Sequence, residues 1–175
     1  VRLMGGELAL ESEPGKGSKF YFSLTLPLGE VAQEQPCPSS GLLQGARLLL
    51  AEDNDLNAEI AMELLEIQGA RVTRAENGRQ AVDLFAASAA GEYEAVLMDI
   101  QMPELNGLDA TRAIRALPRP DAAAVPIIAM TANSFREDTE AAAEAGMTGF
   151  IPKPVDANYL YGVLRGALGR AAVKD

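Results

Sequence analysis

Three carboxylates, a hydroxyl and an amine each stand at the end of a short apolar run. Asp99 closes Ala95-Val96-Leu97-Met98; Glu52 and Asp53 follow Leu48-Leu49-Leu50-Ala51; Thr131 follows Ile127-Ile128-Ala129-Met130. Lys153 follows a further short apolar segment and precedes Pro154. Two or three carboxylates, completed by water and a substrate phosphate, suit Mg2+. A carboxylate beside such a cation can attack phosphorus and form an acyl phosphate, because the cation offsets its repulsion by the phosphoryl oxygens. The Lys153 ammonium would then pair with one phosphoryl oxygen and the Thr131 hydroxyl would bond another.

Each of these residues also has a plainer reading. Asp53, followed by Asn54-Asp55, could cap the helix that begins near Leu56. Thr131 could simply end a strand, and a lone lysine is most often a solvated amine. Asp99 is harder to set aside, because a carboxylate closing a buried strand needs a partner.

The elements that must position these residues follow from periodicity. From Ala46 onward, apolar runs at 48–50, 71–73, 93–98, 125–130 and 148–151 alternate with amphipathic segments near 55–68, 78–90, 107–117, 134–145 and 156–169. Strand–helix alternation of this kind predicts an α/β fold, a parallel sheet with helices on both faces. In such sheets ligands bind outside the carboxyl ends of the strands, where all the polar residues named above fall. Gly69, Gly91 and Gly146 are expected as left-handed residues closing three of the helices.

Ahead of this region, residues 7–12 and 19–27 alternate polar and apolar as two strands joined by Glu13-Pro14-Gly15-Lys16-Gly17-Ser18. Two strands cannot bury a core of their own, so the hairpin must lean on a neighbour, and a dimer formed through it is one way to do so. Residues 29–45 lack periodicity and are rich in Gly, Pro, Gln, Glu and Ser, the composition of a linker.

Composition narrows the function classes. A net charge of −10 leaves no basic face for a nucleic-acid backbone, so no nucleic-acid partner is expected. The single cysteine, Cys37, cannot form an internal disulfide. No run approaches the roughly 20 apolar residues that span a bilayer, and no secretory leader is evident at the amino end. A cytoplasmic location without membrane contact is expected. The chain has no histidine, which excludes His-based metal sites, Ser-His or Cys-His catalysis, and a phosphohistidine of its own.

With these motifs on the page, residues 46–170 resemble the receiver domain of two-component response regulators. The matching motifs are Ala51-Glu52-Asp53-Asn54, Met98-Asp99-Ile100-Gln101-Met102-Pro103, Thr131-Ala132-Asn133 and Lys153-Pro154. The resemblance implies a doubly wound, flavodoxin-like five-stranded sheet in the order 2-1-3-4-5. It makes Asp99 the phosphoacceptor. Mg2+ would be held by Asp53, Asp99 and the Gln101 backbone carbonyl, with Glu52 acting through water. Thr131 and Lys153 would sense the phosphoryl group, and Lys153–Pro154 would be cis. Phe150 would be the aromatic that turns inward on phosphorylation, although plain core packing would equally explain it.

Residues 1–28 resemble the last segment of a histidine-kinase ATP-binding domain, through Met4-Gly5-Gly6-Glu7-Leu8, Glu11-Ser12-Glu13-Pro14-Gly15-Lys16-Gly17-Ser18-Lys19-Phe20 and Thr25-Leu26-Pro27-Leu28. The residues that bind ATP in that family have no counterpart in this sequence. The order of kinase end, linker and receiver resembles a hybrid sensor histidine kinase. The implied function is acceptance of a phosphoryl group from a phosphohistidine on a kinase or a histidine phosphotransfer domain. Two other classes use the same pocket: an unphosphorylated pseudo-receiver that only binds proteins, and a small phosphatase. The phosphatase would need an acid two residues after the nucleophile, and Gln101 stands there.

Overall fold

The computed structural model describes residues 7–15, 17–23, 41–132 and 136–169, in two units. The first is an antiparallel hairpin of β1 (Glu7–Glu13) and β2 (Gly17–Ser23), paired from Glu7↔Ser23 to Glu13↔Gly17. Period-2 alternation puts Leu10 opposite Phe20 and Glu11 opposite Lys19. The Glu11 carboxylate accepts a bond from the Tyr21 hydroxyl at 3.0 Å.

The second unit is the expected α/β sheet: five parallel strands with helices on both faces. Its elements are β3 (Arg47–Ala51), α1 (Asp55–Ile67), β4 (Arg71–Ala75), α2 (Gly78–Ala87), β5 (Ala95–Asp99), α3 (Gly107–Arg115), β6 (Ile127–Thr131), α4 (Arg136–Ala145), β7 (Gly149–Pro152) and α5 (Ala157–Ala167). The spatial order β4-β3-β5-β6-β7 is 2-1-3-4-5 within the unit, the flavodoxin-like order. The three inner strands β3, β5 and β6 are nearly continuous apolar runs because both sheet faces are covered there. Leu48, Leu50, Ala95, Leu97, Ile128 and Met130 pack with α1 and α5, while Leu49, Val96, Met98, Ile127 and Ala129 pack with α2 and α3. Strand alternation therefore assigns a face to each strand-end residue. Asp99 continues the row of Ala95 and Leu97, and Thr131 continues that of Ile127 and Ala129 on the opposite face.

Asparagines start three helices. Asn54, Asn77 and Asn106 accept the backbone N–H of Asn57, Gln80 and Asp109, and Asp156 does the same for Tyr159 on α5. Asn54, rather than Asp53, caps α1. At the other ends, Gly69 (φ +87°) and Gly146 (φ +96°) are left-handed closures of α1 and α4. Gly91 also has positive φ, but it lies in the turn 89–92 beyond α2. There the chain has already left the helix at Ser88, which adopts extended backbone and bonds the Phe85 carbonyl through its hydroxyl. The expected start of α4 at 134 falls outside the described residues.

Residues 41–45, compositionally the end of the linker, fold back on the end of α1. The Leu43 N–H donates to the Gln68 carbonyl at 3.0 Å and its side chain is fully buried. Two flanking glycines disguised a core leucine as linker.

The loop before β6 is stapled to the end of α2 by Arg119. Its guanidinium grips Asp121 through Nε and one terminal nitrogen at 2.7 and 2.8 Å and reaches the carbonyls of Phe85, Ser88 and Ala89. The Arg119 hydrogen bond and then the Gly91 N–H hold the Asp121 carboxyl well below the usual carboxylate range. A carboxylate depressed on folding stabilises above its unfolded pKa, and that contribution fades as pH falls through the folded value. Asp121→Ala is therefore expected to lower the thermal midpoint at pH 7, with the gap to the natural protein closing in the acid range below pH ~4; thermal melts across pH measure it.

Candidate functional site

β5 is the middle strand, and Asp99 at its carboxyl end receives help from both sides. β3 lies on one side and delivers Glu52 and Asp53 just past Ala51; β6 lies on the other and ends in Thr131. Lys153 follows β7, two strands away from β5. At strand spacing that is roughly 10 Å, which calls for a long side chain. Its ammonium lies 2.7 Å from Asp99 Oδ2 and 2.6 Å from Glu52 Oε2.

The other polar atoms are accounted for in turn. Asp99 Oδ1 accepts the Gln101 N–H at 3.1 Å, and Glu52 Oε1 accepts Asn57 Nδ2 at 3.1 Å. Carboxylate oxygens of Glu52, Asp53 and Asp99 lie within 4.8 Å of one another. Glu52 and Asp99 are buried and Asp53 is exposed, so two acids form the floor and the third the lip of a pocket of about 260 Å3. Asn57, Gln101 and Thr131 are among its other lining residues. Three carboxylates against one ammonium leave a local excess of two negative charges, which a divalent cation would balance. The hard oxygen donors match Mg2+ in type and number.

Burial raises the Asp99 carboxyl above the ordinary aspartate value, against the opposing pull of Lys153 and the Gln101 N–H. Burial also acts to lower Lys153, but its bonds to Asp99 and Glu52 outweigh that and leave its pKa raised. The amine is thus held charged, a fixed cation between two acids.

The loop after Asp99 is built tightly around the site. Glu104 adopts φ +64° inside a turn closed by the Leu105 N–H and the Pro103 carbonyl at 2.7 Å. The Gly107 N–H returns to the Ile100 carbonyl at 2.9 Å, and a Cβ at 107 would sit 2.0 Å from the Asp99 carbonyl oxygen. Gly107 thus lets α3 begin against the backbone of Asp99.

All the residues singled out from sequence except one converge here. Glu52, Asp53, Asp99, Gln101 and Thr131 line the pocket, and Lys153 reaches its floor. The Lys153–Pro154 peptide bond is cis. Phe150 stands apart, 38% exposed beside α4 with its ring centroid 6.5 Å from that of Tyr159, so plain core packing does not describe it. Sequence reasoning missed Asn57 and Gly107, because each acts by touching another residue's backbone or carboxylate.

The family profile described as response regulator receiver domain matches residues 48–165. The chain belongs to the receiver domain family. Among its relatives, hybrid signal transduction histidine kinase I of Dictyostelium discoideum is 39% identical over 120 residues, 67% of this chain and 7% of that protein. Aerobic respiration control sensor protein ArcB of Escherichia coli K12 is 34% identical over 168 residues, 93% of this chain and 20% of that protein. This receiver chain therefore spans at most a fifth of the length of these curated relatives. Among solved structures, the receiver domain of sensor histidine kinase PA1611 from Pseudomonas aeruginosa PAO1 is 38% identical with a TM-score of 0.65. The match covers 71% of this chain and 98% of that one, and that structure has a magnesium ion coordinated in its active site cleft.

Two variants test the local architecture. Lys153→Met leaves two acids facing each other and should lower unfolding free energy by about 2 kcal/mol without added metal, less than for a fully dry ion pair because Lys153 keeps some water contact. Millimolar Mg2+ should recover part of that loss in urea titrations. Gly107→Ala forces the start of α3 off Asp99 and should cost about 1–3 kcal/mol by the same measurement.

Proposed function

We propose that this receiver accepts a phosphoryl group onto Asp99, with Mg2+, from a phosphohistidine carried by a kinase or a histidine phosphotransfer domain. The observation that carries the reading is the convergence of Asp99, the two β3-end acids, Thr131 and Lys153 in one pocket. Bound Mg2+, held by Asp53, Asp99 and the Gln101 carbonyl with Glu52 behind water, would offset charge between the carboxylate and the incoming phosphoryl group.

In the transfer, an Asp99 carboxylate oxygen bonds to phosphorus as the P–N bond breaks, and the imidazole leaves with the electron pair. The Lys153 ammonium, charged and already beside Asp99, pairs with a phosphoryl oxygen. The Thr131 hydroxyl, on the neighbouring strand end, hydrogen-bonds another. Drawing Thr131 toward the phosphate vacates space toward α4. Phe150 would then turn inward as the switch; its exposure beside a small cavity lined by Thr139, Ala142 and Met147 supports this reading.

We further read residues 1–28 as the end of an ATP-binding domain, 29–45 as a linker and 46–170 as the receiver of a hybrid sensor histidine kinase. The supporting observation is that the similarity to ArcB extends over 93% of the chain, well beyond residues 48–165. Pairing of two copies through the hairpin forms no part of this reading.

Incubation with Mg2+ and a small phosphodonor such as acetyl phosphate should add one phosphoryl group by intact-mass spectrometry. The adduct should be absent in Asp99→Asn and without Mg2+. A chain that binds its partner but never gains the adduct would be a pseudo-receiver instead.

A further inference from the structure

The β3–α1 loop carries the exposed acid Asp53 between two residues whose backbones are tied down. Behind Asp53, the Glu52 N–H donates to the Ala75 carbonyl at 3.0 Å; ahead of it, the Asn54 carbonyl accepts the Ala58 N–H at 2.9 Å. The remaining tie comes from Arg74, the fourth residue of β4. Its Nε and one terminal nitrogen each lie 3.3 Å from the Glu52 carbonyl oxygen, and that same terminal nitrogen lies 3.5 Å from the Asp53 carbonyl oxygen. The same nitrogen pairs with Asp55 Oδ1 at 2.7 Å. One guanidinium therefore touches the backbone of two acids of the cluster and the side chain of the next.

This placement is electrostatically unexpected. A cation at the amino end of a helix sits against the positive end of its dipole, and a cation beside a divalent-metal pocket repels the metal. Asp55 answers part of that charge, but a neutral side chain at 74 would do so with no ion pair at all. What only a planar, forked donor supplies is two directed bonds to one carbonyl together with a third contact beyond it. Val72, two residues earlier on the same row, packs against the α1 side of the sheet, so the strand's alternation brings Arg74 out at that helix's first turn.

We propose that Arg74 is a positioning residue for the divalent-cation site, fixing the Glu52–Asp53 backbone so that the exposed Asp53 carboxylate is presented to the metal. The inference rests on the reading of Glu52, Asp53 and Asp99 as a Mg2+ site. It makes a prediction of opposite sign to simple electrostatics. If Arg74 acted only through its charge, removing it would tighten Mg2+ binding; as a positioning residue, its loss weakens binding.

Mg2+ affinity measured by isothermal titration calorimetry on the natural chain, Arg74→Gln and Arg74→Lys decides between them. The expected result is a Kd raised about tenfold in Arg74→Gln, at the low end for residues that orient metal ligands. Arg74→Lys, which keeps the charge but loses the fork, should bind at least as weakly as Arg74→Gln. Metal-free 15N–1H spectra should show the Asp53 amide shifted in both variants while the β5 and β6 amides stay in place. Should Arg74→Gln not fold, Arg74→Lys carries the same test. Tighter or unchanged Mg2+ binding in the variants, with the natural chain binding normally, overturns the role of Arg74 alone. Absence of Mg2+ binding in the natural chain would instead overturn the cation site, and this inference with it.

Discussion

The Lys153 ammonium sits between two buried carboxylates, 2.7 Å from Asp99 and 2.6 Å from Glu52, and the rest of the receiver is arranged so that this contact can exist. Buried acids at such separation repel, and taking them out of water costs free energy unless positive charge is supplied. One ammonium offsets only part of that charge, because Asp53 adds a third carboxylate at the lip. The folded protein therefore carries a standing demand for a cation at its sheet edge. Such a demand is costly to stability and useful to chemistry. A divalent cation bound among the three acids would answer that demand.

Parallel topology makes the cluster affordable. All five strands of the sheet end at the same edge, so residues just past Ala51, at Asp99, at Thr131 and just past Pro152 arrive together although they lie far apart in sequence. The two faces are sealed by separate sets of apolar residues, so the polar cluster lies at the sheet edge and not within the core. Strand alternation then separates the roles. Asp99 faces the side of α1 and α5, from which Lys153 reaches it, while Thr131 follows the row that faces α3 and α4.

Much of this was legible in the residue pattern. Five apolar runs gave five strands within a few residues, since a strand buried on both faces leaves an uninterrupted signal. The pocket residues were legible for a related reason: a carboxylate closing a buried run is chemically conspicuous. Boundaries fared less well. The second helix ends at Ala87 rather than near 90, because the Ser88 hydroxyl takes the Phe85 carbonyl and turns the chain out, a choice that helix periodicity does not record. Leu43 was hidden in a polar, glycine-flanked stretch whose composition resembles a linker.

What the sequence determined by itself was the inventory: which acids, hydroxyl and amine stand at strand ends, and the flavodoxin-like family pattern they compose. Only the tertiary structure decided how they are used. Local sequence left open whether Asp53 merely capped α1; the cap is Asn54, which leaves the Asp53 carboxylate at the pocket lip. That Lys153 bonds Asp99 across 54 residues and that Arg74 grips the Glu52 carbonyl are likewise consequences of strand order. The physical reason is common to both. Periodicity reports which way a side chain faces within its own element, whereas its partner is set by which elements become neighbours and how closely their backbones approach.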